Sequence, residues 1–208
     1  MTKHVSASPF LLALLVLAFA SGVYAQEPNS TSATSEWQRY EVGKGSLSVL
    51  FPNKPTETTQ ATPSSGDQIG NEMYLYTSAT AEAIYVSQVS FLDKPAAPWG
   101  ATQIASFYQG FWKGLRTAFD DRLKRSNSTE VTKLIEEKRV TFAGSSGVEF
   151  VFVYGSTEGR VLVTLVGNRA FAGLIFGTEK ISRQLQEQFF GSFKILPLRT
   201  SKLLVKER

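Results

Sequence analysis

The sequence predicts an α+β domain, a three-layer α/β/α sandwich around a mostly antiparallel sheet, and three observations carry that prediction. Residues 147 to 176 read as three consecutive strands, GVEFVFVYG, RVLVTLV and RAFAGLIF, apolar on both faces. Apolar residues recur at helical spacing through one long segment, about 99 to 124, and in a narrower stripe from about 178 to 190. A sheet with one wet side alternates apolar and polar residues, so a sheet apolar on both sides must be covered on both.

In chain order, residues 1 to 25 stand apart from this fold. Lys3 precedes the unbroken apolar run Phe10 to Ala20, and Val23-Tyr24-Ala25 supplies small residues before Gln26, which is the pattern of a secretory signal peptide cleaved between Ala25 and Gln26. The run is shorter than the ~20 residues that span a bilayer, so no stable membrane insertion is expected after cleavage. Residues 26 to 35 are polar and low in complexity, as in a disordered linker. Residues 36 to 196 then form a single domain, and 197 to 208 a basic tail.

Within the domain, Trp37 to Val42 and Ser46 to Phe51 read as a hairpin across Gly43-Lys44-Gly45, ended by Pro52 and Pro55. Thr56 to Gly66 reads as a loop, and Ile69 to Ser78 and Glu82 to Leu92 as two strands. The long helix, 99 to 124, carries Phe107, Phe111, Leu115, Phe119 and Leu123 on one stripe. Gly110 and Gly114 at its margin mark either a close approach or a tolerated loss of about 1 kcal/mol each. Val131 to Phe142 reads as extended, with a charged middle from Lys133 to Arg139 that is open to partial helix. After the three strands, Thr178 is the expected N-cap and Glu179 suits the positive end of the second helix; Gly191 stops it, and Ser192 to Leu196 returns as a strand.

Two turns set the register of the strand cluster. Gly167-Asn168 is a two-residue hairpin signal that pairs Val166 with Arg169 and Thr164 with Phe171. Reading Gly155 to Gly159 as a five-residue loop pairs Tyr154 with Arg160 and Phe152 with Leu162. Phe150, Phe152, Tyr154 and Phe171 then share a face with Leu162, Thr164, Val166 and Ile175, with Arg160 and Arg169 at its rim. Val151, Val153, Val161, Val163 and Leu174 occupy the other face, with Glu149 at its edge.

Leu50-Phe51-Pro52-Asn53-Lys54-Pro55, Gly147-Val148-Glu149-Phe150, the Arg160 strand, Gly167-Asn168-Arg169 and Phe189-Phe190-Gly191-Ser192-Phe193-Lys194-Ile195 together give a family likeness over about residues 36 to 196. The chain resembles uncharacterised exported bacterial proteins of the superfamily that contains the PsbP extrinsic subunit of photosystem II. That resemblance implies an α/β/α sandwich around an antiparallel sheet and non-enzymatic accessory roles, such as docking on larger assemblies. Metal binding is associated with some members, but no ligand position of theirs carries over to this sequence.

Composition removes several chemistries. The only histidine, His4, lies in the leader, and there is no cysteine, so a Ser-His-Asp triad, a Cys-His pair, a histidine-ligated zinc and a disulfide framework are all excluded from the mature chain. No phosphate-cradling glycine loop is present. The pI of 9.3 reflects the tail: Lys194, Arg199, Lys202, Lys206 and Arg208 face only Glu207 over the last fifteen residues, whereas the rest of the mature chain holds 16 basic and 17 acidic residues. A nucleic-acid partner is therefore not expected.

Asp120-Asp121 and Glu136-Glu137 sit among basic residues and read as solvated, self-neutralised pairs. Glu149 begins a strand with aliphatic neighbours, where it is either poised or simply wet. The binding candidates are Phe150, Phe152, Tyr154 and Phe171 with Arg160 and Arg169 at the rim, provided no helix covers them. The expected function is a non-catalytic exported module, periplasmic or extracellular, without cofactor or metal, acting on an unidentified protein partner of the cell envelope. A carrier of a small apolar or lipid-like ligand is the alternative. A carboxylate-only hydrolase, needing two or more of Asp93, Asp120, Asp121 and Glu149 in one cleft, comes third.

Overall fold

The computed structural model describes residues 36–62, 71–93, 98–177 and 181–197. The expected signal peptide with its Ala25/Gln26 cleavage site, the expected linker, the residues beyond Pro197, and Thr178 and Glu179 lie outside the described residues. Among the described residues, ten strands and two helices run in the order β1 (Gln38–Val42), β2 (Leu47–Phe51), β3 (Thr56–Thr62), β4 (Asn71–Ala79), β5 (Ala83–Leu92), α1 (Ala101–Arg125), β6 (Lys133–Phe142), β7 (Ser145–Tyr154), β8 (Thr157–Val166), β9 (Arg169–Gly177), α2 (Arg183–Gly191) and β10 (Lys194–Ile195). The fold is α+β, and every described strand pairing is antiparallel.

The strands form two sheets, a seven-stranded one in the order β3-β4-β5-β9-β8-β7-β6 and a three-stranded one in the order β1-β2-β10. Helix α1 covers one face of the large sheet, burying Phe107, Phe111, Leu115 and Phe119 against Phe150, Phe152, Val161, Val163 and Leu174. The small sheet and α2 lie on the other face, where Val49, Phe51, Phe189 and Phe193 meet Tyr85, Phe171 and Ile175. The second covering layer is thus part sheet and part helix, where a single helix was expected.

Two expected elements are corrected, and the extended reading of Val131 to Phe142 is borne out over its strand. Thr56 to Thr62 is a strand: its polar residues pair along β4 and make a hydrophilic sheet edge, which a composition rich in Thr hides. Lys133 to Phe142 is wholly extended, because β7 pairs along its length despite the charges. Helix α2 starts later than expected, at Arg183, and its N-cap is Ser182, whose side chain accepts from Leu185 N at 3.2 Å. The long helix matches its expected span within two residues at either end. Gln103 closes its first turn by accepting from Gly100 N at 2.8 Å, and Arg122, Lys124 and Arg125 sit at its negative end. Of its two glycines, Gly114 is buried and Gly110 is half-buried.

The turn between β7 and β8 has the largest consequence. It is a two-residue hairpin, with Gly155 at φ 60° in its first central position. Thr157, Glu158 and Gly159 belong to β8, so Tyr154 pairs with Thr157, Phe152 with Gly159 and Phe150 with Val161. The expected pairing of Tyr154 with Arg160 is off by three residues. An odd shift moves every side chain of β7 to the opposite face relative to β8. Gly159 is the residue that accommodates this register, because the Phe152 ring lies where a β-carbon would stand, 2.5 Å from it. The β8–β9 register agrees with expectation: Val166 pairs with Arg169 and Thr164 with Phe171.

Candidate functional site

The six predicted binding residues do not form one surface. Phe150 and Phe152 are buried beneath α1, stacked against Phe111, Trp112 and Phe119, and Tyr154 packs on Phe119 with ring centroids 4.7 Å apart. Phe171 points to the opposite face and is fully buried by the small sheet and α2. Arg169 lies over the Phe171 ring at 5.2 Å and donates to Leu196 O at 3.0 Å, holding the end of the domain to the sheet. Its partial burial lowers the pKa of the guanidinium. An aromatic binding face is therefore corrected to two separate pieces of core, and Arg160 alone of the six remains at an open site.

That open site arises because the second layer does not extend over the whole sheet. Helix α2 buries Gln186 and Phe189, and beyond it the outward residues of β6, β7 and β8 stay half-exposed: Val140, Val151, Val153 and Leu162. Val151 and Val153 pack into neither core. Between α2 and this strip runs a groove of about 780 Å³, whose apolar lining includes Phe142, Leu162, Phe190 and Phe193.

Glu149 sits at the centre of the strip. It faces Leu162 on β8 and Lys138 on β6, and its carboxylate is only 3% exposed. One oxygen accepts from Arg160 and the other from Lys138 at 2.9 Å. The Arg160 guanidinium also donates to the side chain of Gln186 on α2, which in turn donates to Ile181 O at 2.9 Å. Arg160 Nε is buried without a partner among the described residues. Lys138 reaches Glu136 at 3.5 Å as well, and its bond with Glu149 raises the ammonium pKa above its ordinary value. Glu149 is thus neither wet nor a free base: it is a buried anion with both oxygens engaged.

The other carboxylates lie elsewhere. Asp120 accepts from Thr132 N at 2.6 Å and pairs with Arg116, on the side of the sheet that α1 covers. Asp121 pairs with Lys124 in solvent. The groove lining contains Glu149 and Glu187 but none of Asp93, Asp120 and Asp121, so the convergence a carboxylate hydrolase needs does not occur there. Among the described residues, no three His, Cys, Asp or Glu side chains gather as a metal would require, and no helix is long and apolar enough to cross a membrane.

Lys138, Gln186 and the phenylalanines of the groove are absent from the expected site. The Gly155-Ser156 turn is the signal that would have brought Arg160 to Glu149, since its two-residue register puts Arg160 diagonal to Glu149 and Leu162 directly opposite it.

No family model and no curated protein sequence matches the chain. Among solved structures, it is similar to cyanobacterial PsbP from Synechocystis sp. PCC 6803, with a TM-score of 0.50 and 13% identity, over 82% of this chain and 99% of that one. The likeness is one of fold, and on it the described domain has a PsbP-like fold.

Proposed function

We propose that this chain is an exported, non-catalytic accessory module that docks a protein partner of the cell envelope on the open strip of β6, β7 and β8 beside α2. The observation that carries the reading is the incomplete second layer. Val140, Val151, Val153 and Leu162 are left half-exposed next to a groove of about 780 Å³, whereas the opposite face of β7 and β8 is closed by α1. Concave apolar surface next to fixed polar groups is what partner recognition uses. Export rests on the signal-peptide pattern of residues 1 to 25, and the accessory role on the fold likeness to PsbP.

A photo-crosslinking amino acid at Leu162, introduced into the full-length protein in its native cells, tests the reading. The same group at Thr59, on the opposite sheet edge, is the control. The expected result is one reproducible cross-linked species from Leu162 and none from Thr59. No cross-link from either position, or the same products from both, removes the docking reading. The groove also lies in the size range of small-ligand sites; an apolar ligand retained in native mass spectra of the purified protein would favour the carrier alternative.

A further inference from the structure

We infer that the free edge of the seven-stranded sheet, β6, pairs with a second copy of this chain, antiparallel and centred on Lys138, so that the two large sheets join across a twofold axis. The inference concerns the edge of β6 and stands apart from the docking reading, which concerns a face.

β6 ends the strand order, so its outer backbone N–H and C=O groups meet no strand among the described residues. Charged side chains on such an edge turn away strands that do not match them. One strand does match. The segment runs from an apolar end, Val131, Leu134 and Ile135, through Glu136 and Glu137 to Lys138 and Arg139, and then to Val140 and Phe142. A copy laid in the opposite direction therefore sets acidic against basic residues and apolar end against apolar end. The first of those ends is open: Val131, Leu134 and Ile135 are 46%, 39% and 62% exposed, the large apolar side chains most open to solvent among the described residues.

The ions without partners select the register. On the strip side Lys138 holds both Glu136 and Glu149. On the α1 side, opposite Phe150 and Val148 of β7, Glu137 and Arg139 are exposed. Arg139 lies over the Tyr108 ring at 5.3 Å, and neither ion has a partner of opposite charge among the described residues. Two positions apart on one strand, they stand about 7 Å from each other. Residues directly opposite in an antiparallel pair approach to about 5 Å and share a face. Because faces alternate along each strand, the twofold axis must pass through a residue position. Through Glu137 it opposes two carboxylates, and through Arg139 two guanidiniums. Through Lys138 it sets each Glu137 opposite Arg139 of the second copy, while the two lysines that meet on the strip side are each held by their own Glu149 at 2.9 Å. The register shift at Ile135 confines the regular ladder to Glu136 through Val140, and a contact of that length is weak and concentration-dependent.

The test is sedimentation equilibrium of the mature protein over a concentration series at low and high salt. It is repeated with Glu137→Arg, with Arg139→Glu, with those two variants mixed, and with a chain carrying both substitutions. The wild type is expected to form a dimer that dissociates on dilution and weakens with salt. Each single variant sets like charges opposite each other and is expected to dimerise roughly tenfold more weakly. Mixing the two, or combining both substitutions in one chain, makes the opposed pairs unlike again and restores the dimer, which a merely structural role for either residue does not produce. A wild type that stays monomeric at the highest concentration, a dimer that neither single variant weakens, or failure of both the mixture and the double variant to associate would each overturn the proposal.

Discussion

Strands β7, β8 and β9 show two different solutions to the same problem, one on each face. Beneath α1 the face is aromatic and aliphatic throughout, and Phe150, Phe152, Val161 and Val163 are at most 1% exposed. On the other face the same strands carry Glu149, Arg160 and Leu162, and cover thins out from β9, where Phe171 is fully buried, toward β6. A closed face is stabilised by packing and has nothing left to offer a partner. A half-closed face keeps its charges near solvent, where their pairing contributes little to stability and their geometry stays available for recognition.

The largest expected effect comes from opening the closed face. Phe152→Ala removes a ring packed against Phe119 and Trp112 and lying over Gly159, and it is expected to cost about 3–5 kcal/mol in urea unfolding. A loss below about 1 kcal/mol would mean that α1 closes this face less tightly than the structure shows.

The covered part of the second face has a signature in alkali. Burial pushes the Tyr76 phenol up to about 12, and its oxygen accepts from Gly43 N at 3.0 Å, fastening the β1–β2 turn to β4. The folded state holds this proton more tightly than the unfolded one, so the contribution is complete below about pH 10 and is lost as pH rises toward 12. The amount is roughly 2–3 kcal/mol by linkage. Urea midpoints between pH 9 and 12 are expected to fall less steeply in Tyr76→Phe, after an initial loss of about 1 kcal/mol for the orphaned Gly43 N–H. An equally steep fall in the variant would assign the alkaline transition to other groups.

At the open part, Glu149→Gln leaves Lys138 and Arg160 facing a neutral amide. Because both cations are partly solvated, about 1–2 kcal/mol is expected, less than the 3–5 kcal/mol of a fully buried pair. A double-mutant cycle with Lys138→Gln measures the coupling. Zero coupling would make the pair a geometric coincidence.

How much of this was legible in the sequence follows the same division. Helix α1, the β8–β9 register and the need for cover on both faces were readable because each is a local pattern: a 3.6-residue stripe, a Gly-Asn turn, uninterrupted apolar strands. The site was not, because it depends on a single turn. Taking Gly155 to Gly159 as one loop put Arg160 beside Tyr154, and three residues of slip moved Phe150, Phe152 and Tyr154 away from Phe171 and Glu149 toward Arg160. Glycine at both ends of that stretch concealed the difference: Gly155 is there for its left-handed φ, Gly159 for the space the Phe152 ring occupies. β3 was hidden in another way, since an edge strand of Thr, Glu and Gln carries no apolar alternation. The opposite edge, β6, is charged and has a register shift at Ile135, which is 62% exposed. Charges and a bulge are the devices that keep a free edge from pairing with other chains, and here they left only the charged middle of an extended segment open to partial helix.

The finest test of the two-face comparison is a matched pair of isosteric substitutions on adjacent strands. Val163, on β8, is fully buried under α1, and Val153, on β7, is half-exposed on the open strip. Threonine has valine's shape and a hydroxyl, so cavity terms cancel and only the environment of the hydroxyl remains. Under α1 that hydroxyl loses water among Val148, Ala172 and the other side chains of the core, and Val163→Thr is expected to cost about 1–3 kcal/mol. On the strip the hydroxyl stays hydrated, and Val153→Thr is expected to fall within about 0.5 kcal/mol of the parent. Equal costs at the two positions would mean that the strip is closed in the free protein, leaving no surface there for a partner to cover.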